Sequence, residues 1–348
     1  MKKRLVICCD GTWNSLKQPA RTNVSKVWDA VPGEAADGVR QLTCYLKGVG
    51  AGLPLVGHLA GGAFGWGLSA NVRDAYKFVV ENYAPGDELF FFGFSRGAYT
   101  ARSTVGLIRN CGILRAEHAG LVGEAYRLYR NRDSATGPDM PAAVRFRAEH
   151  AHADVTPVRF IGVWDTVGAL GIPLSGGRLL HLVNRRWQFH DMTLSSTVQS
   201  AFQALAVDEH RKSYVPAVWQ PSPKRAERNQ EREQVWFSGA HSDVGGGYQE
   251  HDLSDIALRW LANRAERCGL HFDPGAFGDL ADANAEGELH KSLNGFFRLF
   301  GSADRPIGTA DGPSESLASS ARDRHQAMAY SPANLAAYLE GSPKITTV

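Results

Sequence analysis

Ser95 closes the run Leu89-Phe90-Phe91-Phe92-Gly93-Phe94-Ser95-Arg96-Gly97-Ala98, and no other stretch of the chain says as much about chemistry. A short apolar segment enters Gly-x-Ser-x-Gly and leaves it through Tyr99-Thr100-Ala101-Arg102, a helix-forming stretch. This is the form of a nucleophile elbow, a tight strand-to-helix turn that strains the serine backbone and lifts its hydroxyl clear of the sheet. Gly93 and Gly97 are required because strand and helix pass too close for a Cβ. A serine hydroxyl is too weakly acidic to attack unaided, so a base must lie within hydrogen-bond reach. The helix N-terminus beside it offers backbone N–H groups to a developing oxyanion. The chemistry expected is acyl transfer through a serine nucleophile.

A histidine can take the serine proton near neutral pH and return it to the leaving group, and an aspartate can fix the imidazole tautomer and stabilise the imidazolium. In open α/β sheets such groups gather just beyond the C-terminal ends of strands. That rule selects Asp10, Ser95, Asp165 and His241, each of which follows a short apolar run. The order Ser, Asp, His is the one found on α/β-hydrolase sheets. Ser95, Asp165 and His241 are therefore the expected catalytic residues. The oxyanion donors are expected to be the N–H of Arg96 and an amide from Gly11-Thr12, with Thr12 or Trp13 touching the acyl group.

His210, in Asp208-Glu209-His210-Arg211, is the rival base, although acids and Arg211 on both sides suit a salt-bridge or capping cluster better. Asp243, two residues from His241, is the alternative acid or a brace for that turn. Asp10 reads as a turn-capping carboxylate. These three are the candidates for a supporting role around the triad. Asp10, Asp165, His241 and Asp243 could instead hold a metal, since carboxylate and imidazole suit hard or borderline cations. That reading leaves the elbow serine without a purpose, so no metal or cofactor is expected. Asp10-Gly11-Thr12 resembles the first motif of haloacid-dehalogenase-type phosphatases, but the place of their nucleophilic aspartate is Cys8 here. Gly48-Val49-Gly50-Ala51-Gly52 lacks the Gly-Lys-Ser/Thr of a phosphate loop.

These residues need a scaffold of strands that end together. Leu5–Cys9, Gln41–Leu46, Glu88–Phe92, Pro157–Trp164 and Gln234–Ser238 read as buried strands. Asn23–Ala30, Asn71–Tyr83, Ala98–Cys111, Leu194–Val207 and Leu253–Cys268 read as helices, with short ones near Leu289–Phe300 and Pro332–Glu340. The alternation predicts an α/β fold: an α/β-hydrolase-like three-layer sandwich with a mostly parallel central sheet. A single domain spans 1–348, with insertions at about 113–155 and 170–230 forming a cap. The Gly-rich segment Leu53–Leu68, and Leu170, Ile172, Leu174 and Trp187, are candidate acyl-binding walls.

The 348 residues carry a net charge of +2, which gives no global field for nucleic acid, so no nucleic-acid partner is expected. Five scattered cysteines without a Cys-x-x-Cys fit a reducing compartment. The apolar run after Met1-Lys2-Lys3-Arg4 is too short for a signal peptide, and no segment is long enough to span a membrane. The protein is expected to be cytoplasmic as synthesised.

Four segments together resemble a known family. Cys9-Asp10-Gly11-Thr12-Trp13-Asn14, Gly93-Phe94-Ser95-Arg96-Gly97-Ala98, Gly162-Val163-Trp164-Asp165-Thr166-Val167 and His241-Ser242-Asp243-Val244-Gly245-Gly246 are similar to the signature set of the bacterial α/β-hydrolase family that includes the first group of type VI secretion phospholipase effectors. The likeness runs from about residue 3 to about 260. It implies a serine lipase or esterase of the phospholipase A kind, acting on glycerophospholipid esters with transient contact to a membrane surface. It also implies export by a type VI system without a signal peptide, and a secretion adaptor or immunity protein as partner. A cytoplasmic esterase on small non-lipid esters is the alternative, and a non-catalytic binding protein is the alternative outside enzymology.

Overall fold

The computed structural model describes residues 2–50, 61–168, 193–220, 230–278, 283–293, 298, 301–309 and 314–348, with residues 61–66 described by their backbone. The elements in chain order are β1 Lys3–Cys9, α1 Asn23–Ala30, β2 Arg40–Leu46, α2 Gly61–Asn82, β3 Glu88–Phe94 and α3 Arg96–Cys111. They continue with α4 Val122–Arg130, α5 Pro141–His150, β4 Val158–Trp164, β5 Val198–Ala206 and β6 Glu231–Phe237. The last are α6 His241–Gly245, α7 Asp252–Arg267, β7 Glu315–Ala318, α8 Ser319–Ala327, α9 Ala333–Leu339 and β8 Ile345–Thr346.

The described strands form one sheet in the order β2-β1-β3-β4-β5-β6-β7-β8, and every neighbouring pair is parallel. Parallel strands need crossovers, and helices covering both faces bury the sheet on each side. Alternate side chains of each strand therefore serve two cores. Val6, Cys8, Phe90, Phe92 and Phe94 pack toward α1 and α7, while Leu5, Ile7, Leu89 and Phe91 pack toward α2 and α3. This double burial is why β1 and β3 read as unbroken apolar runs. The result is an α/β three-layer architecture.

Register aligns the strand ends. Phe94 pairs with Trp164, Trp164 with Ala204, and Ala206 with Phe237. The residues that follow β3, β4, β5 and β6 consequently meet along one edge of the sheet. Asn23 ties helix α1 to this edge by donating to the carbonyls of Val244 and Ser254 at 3.0 and 2.9 Å. Asn23→Ala would leave both buried carbonyls without that donor. A loss of about 2 kcal/mol in urea unfolding is expected, within the ordinary range for an orphaned buried hydrogen-bonding group.

One expected helix is a strand. Leu194–Val207 contains β5, whose nine residues are buried except for Gln199. Ala, Gln and Leu favour a helix locally, but β4 and β6 flank the segment and offer ladder partners on both sides. With both faces covered, the apolar pattern loses the alternation that separates strand from helix. Helix α2 begins at Gly61, inside the expected Gly-rich segment, and β6 begins at Glu231, three residues before the expected Gln234. Strands β7 and β8 are short and had no sequence signal. Residues 289–293 carry no helix.

Of the expected cap, residues 113–155 form α4, α5 and short 3-10 turns beside α3, joined there by Arg147, which donates to the Asn110 carbonyl at 2.8 Å. Most of 170–230 and the acyl-wall candidates Leu170, Ile172, Leu174 and Trp187 lie outside the described residues, as does most of Leu53–Leu68. Among the described residues no helix is long and apolar enough to cross a membrane.

Candidate active site

Strand β3 delivers Ser95 and helix α3 starts one residue later. Ser95 has φ 57° and ψ −121°, a conformation that non-glycine residues rarely adopt. It is held there from outside: its N–H donates to the Trp164 carbonyl at 3.0 Å, and Gly97 lets α3 sit against β1. A Cβ on Gly97 would stand 2.1 Å from the Cys9 carbonyl oxygen, and one on Gly93 would stand 2.6 Å from Ala98 Cα. The two glycines thus allow the close crossing that the turn needs. Among the described non-glycine residues only Trp13, Ser95 and Asp165 have positive φ, and all three stand at this strand edge. Such strain clusters where function requires it, and the surrounding fold must hold it in place.

His241 opens helix α6 after β6, with its ring between Phe94 at 4.6 Å and Tyr214 at 5.0 Å between centroids. Its Nε2 lies 2.8 Å from Ser95 Oγ, and its Nδ1 lies 2.5 Å from Asp165 Oδ2. The three side chains are buried, although 146 and 76 residues of sequence separate the two pairs. Burial, the largest influence, pushes the His241 imidazole below its ordinary value, and the Asp165 hydrogen bond and charge oppose it. The ring is therefore neutral at neutral pH, with Nε2 able to accept the Ser95 proton once Nδ1 donates to Asp165. The acidic limb of kcat/KM is accordingly expected to have its midpoint below about 6.5, the ordinary histidine value. A pH profile on a soluble ester reads it directly.

Burial alone would raise the Asp165 carboxyl. The Arg305 guanidinium and the His241 hydrogen bond outweigh it and hold the group well below the usual carboxylate range. Arg305 spans both oxygens, with Nη1 at 2.6 Å from Oδ1 and Nη2 at 3.0 Å from Oδ2. The Ala206 N–H also donates to Oδ1, at 3.1 Å.

Around the oxyanion position, Arg96 is the first residue of α3. First-turn amides have no intrahelical acceptor and face the nucleophile. Around the Gly11-Thr12 pair, several amides already have acceptors. The Gly11 N–H is taken by Asp10 Oδ1 at 2.7 Å, the Trp13 N–H by the Val49 carbonyl and the Asn14 N–H by the Gly11 carbonyl. In the resting site the Gly11 N–H is therefore engaged by a carboxylate.

Asp10 is the brace of this turn: Thr22 Oγ1 and Tyr45 Oη donate to its Oδ2 at 2.7 and 2.5 Å. Asp243 accepts from the Ala240 N–H at 2.8 Å and pairs with His290 Nδ1 at 2.6 Å, so it fixes the α6 entry rather than meeting Ser95. His210 pairs with Asp304 at 2.9 Å. Its neighbour Glu209 accepts from the His241 N–H at 3.3 Å and pairs with Arg211. Asp10, Asp165 and Asp243 therefore face different partners, and among the described residues no three His, Cys, Asp or Glu side chains converge on a cation position. Cys8, Cys9, Cys111 and Cys268 are buried thiols, all raised by burial and so unreactive.

Glu209 belongs to the expected salt-bridge cluster, whereas sequence reading missed Arg305 and His290. Each reaches the site across a long span of chain from a polar segment with no motif around it. The Pro306 that follows Arg305 marks a turn and nothing more.

A parallel α/β sheet with a serine elbow, and a histidine and an aspartate brought to it from neighbouring strand ends, defines a class of nucleophile-elbow proteins. Within that class the chain belongs to the family described as T6SS, phospholipase effector Tle1-like, catalytic domain, whose model matches residues 3–264. It is 25% identical over 239 residues to the uncharacterised protein YEL023C of Saccharomyces cerevisiae, covering 64% of this chain and 33% of that protein. The chain thus spans about a third of the length of this curated relative. Two solved structures are also similar. An uncharacterised protein from Pseudomonas aeruginosa has a TM-score of 0.47 at 17% identity, over 79% of this chain and 47% of that one. The Tle1 effector bound to the VgrG spike from the type 6 secretion system has a TM-score of 0.48 at 15% identity, over 84% and 77%.

Proposed function

We propose that this protein is a carboxylic ester hydrolase of the phospholipase A type, working through Ser95, His241 and Asp165 and an acyl-enzyme. The observation that carries the reading is the unbroken chain Ser95 Oγ, His241 Nε2, His241 Nδ1, Asp165 Oδ2, with links of 2.8 and 2.5 Å. His241 removes the proton as Ser95 Oγ attacks the ester carbonyl. The tetrahedral oxyanion is held by the Arg96 and Thr12 amides, and His241 returns its proton to the leaving alcohol. Water, activated by the same imidazole, then releases the fatty acid. Membership of the phospholipase-effector family supports a glycerophospholipid as the acyl donor, with a lysophospholipid as the second product. It also supports export through a type VI system, where an adaptor or an immunity protein would be the partner.

The test uses the purified chain on phosphatidylglycerol vesicles and on p-nitrophenyl esters of short and long acyl chains, with Ser95→Ala in parallel. Fatty acid and lysophospholipid released by wild type and lost in Ser95→Ala is the expected result. Turnover restricted to short-chain esters would replace the lipid by a small ester. Turnover that survives Ser95→Ala would remove the triad mechanism altogether.

A further inference from the structure

Arg305 lies beyond residues 3–264, the span matched by the family model, yet it makes more contacts to Asp165 than His241 does. We propose that Arg305 is a positioning residue of this site: its guanidinium fork clamps both oxygens of Asp165, so that one carboxylate orients His241 while part of its charge is cancelled at the imidazole. The inference rests on the Ser95–His241–Asp165 reading given above.

The need for such a group follows from burial. Asp165 has no exposed surface, and in the resting state its catalytic partner is a neutral imidazole. An uncompensated carboxylate in that position would be expensive. Arginine meets the need better than lysine would. Its planar fork reaches two carboxylate oxygens at once and keeps donors for other acceptors. Here Nη1 also donates to the Ala206 carbonyl at 3.0 Å and Nη2 to the Tyr214 carbonyl at 2.5 Å. The fork therefore ties the end of β5, the loop after it and the triad acid into one unit. The backbone of Arg305 is held in turn by Asn334, whose Nδ2 donates to the carbonyls of Arg305 and Val207, both at 3.0 Å. Residues past the family match thus complete the geometry of residues within it.

The clamp has two consequences. With Oδ1 held by Arg305 Nη1 and the Ala206 N–H, and Oδ2 shared between Arg305 Nη2 and His241 Nδ1, the carboxylate is fixed with Oδ2 toward the imidazole, which sets the tautomer that leaves Nε2 toward Ser95. The second consequence is electrostatic. A positive charge on the far side of Asp165 weakens the pull of that carboxylate on an imidazolium, so His241 stays neutral to lower pH. The other charged groups facing His241 are Glu209, which accepts from its backbone N–H, and Arg211, which is paired to Glu209. The uncharged ones are the Ser95 hydroxyl and the Phe94 and Tyr214 rings. Replacing Arg305 releases the Tyr214 carbonyl, while Glu209 and Arg211 keep their mutual pairing and Ser95 and Phe94 keep their places.

The test compares wild type, Arg305→Met, Arg305→Lys and Ser95→Ala as full chains, reading kcat and KM on a short p-nitrophenyl ester across pH. The His241 midpoint is read independently, without substrate, by nitrogen-labelled histidine NMR. In Arg305→Met the midpoint should rise by about one unit, as a carboxylate freed of its counter-charge stabilises the imidazolium. Activity is then lost earlier as pH falls, and kcat drops about tenfold or more with KM unchanged. Arg305→Lys keeps the charge but not the fork, so its midpoint should match wild type while kcat falls. A folded Arg305→Met with the wild-type midpoint overturns the proposal. If Arg305→Met does not fold by circular dichroism, Arg305→Lys decides, and wild-type kcat in that variant overturns it equally. Hydrolysis that persists in Ser95→Ala strikes the triad reading instead, which keeps the two failures distinct.

Discussion

Ser95→Ala loses ester hydrolysis by about a thousandfold or more while keeping its fold, and His241→Ala loses about as much. The size follows from what each side chain does. In the proposed mechanism, removing Oγ deletes the atom that bonds to the acyl group, and removing the imidazole leaves a hydroxyl that cannot shed its proton at neutral pH. The two groups work as one unit across a 2.8 Å hydrogen bond, so the double variant should be little worse than either single one. The residual rate in all three comes from the oxyanion donors and from binding. Little structural damage is expected of Ser95→Ala, because the backbone of residue 95 is fixed by its N–H bond to Trp164 and not by its side chain. The measurement is steady-state hydrolysis with circular dichroism as the control for fold. A Ser95→Ala protein within tenfold of wild type would sink the mechanism, and multiplicative losses in the double variant would separate Ser95 from His241.

Gly97→Ala abolishes activity by a different route. The added methyl would sit 2.1 Å from the Cys9 carbonyl oxygen and 2.5 Å from that of Asp10, both main-chain atoms at the end of β1. No side chain can rotate away to make room, so α3 or β1 must move by more than an ångström. Overpacking of this kind costs about 3 kcal/mol, the upper end of the usual range. The displacement falls on the amides of Arg96 and Thr12 and on the φ 57° turn at Ser95 together. Urea unfolding should show the stability loss, and hydrolysis should be lost even in the fraction that stays folded. A Gly97→Ala protein of wild-type stability would mean that strand and helix do not cross as closely as these atoms place them. A Cβ on Gly106, at the middle of the same helix, would stand 3.1 Å from Tyr129 Oη, the end of a side chain, so an alanine there is the milder control.

Much of the scaffold is legible along the chain because its signals are local. The elbow needs a strand, two glycines at fixed spacing and a helix within about a dozen residues, and each leaves its own mark in residue type. The apolar runs of β1, β3 and β4 are readable because a strand buried on both faces has almost no polar positions. β5 shows where this fails: the same double burial, written in Ala, Gln and Leu, is indistinguishable from a buried helix until its neighbours are known. The histidine was chosen over its rivals by a topological rule about strand ends, not by anything in its own neighbourhood. That the Gly11 N–H is engaged by Asp10 is a single hydrogen bond, which residue types alone do not disclose.

The sequence alone therefore determined the fold class, the place of the serine and the short set of partners that could serve it. The glycine spacing of the elbow and the unbroken apolar runs of β1 and β3 are each written in a few consecutive residues. Only the tertiary structure decided which partners meet. Asp165 joins His241 across 76 residues and Arg305 across 140, through a register that aligns four strand ends and a C-terminal segment with no motif of its own. Those contacts are set by the packing of the whole sheet, and no local pattern encodes the sum.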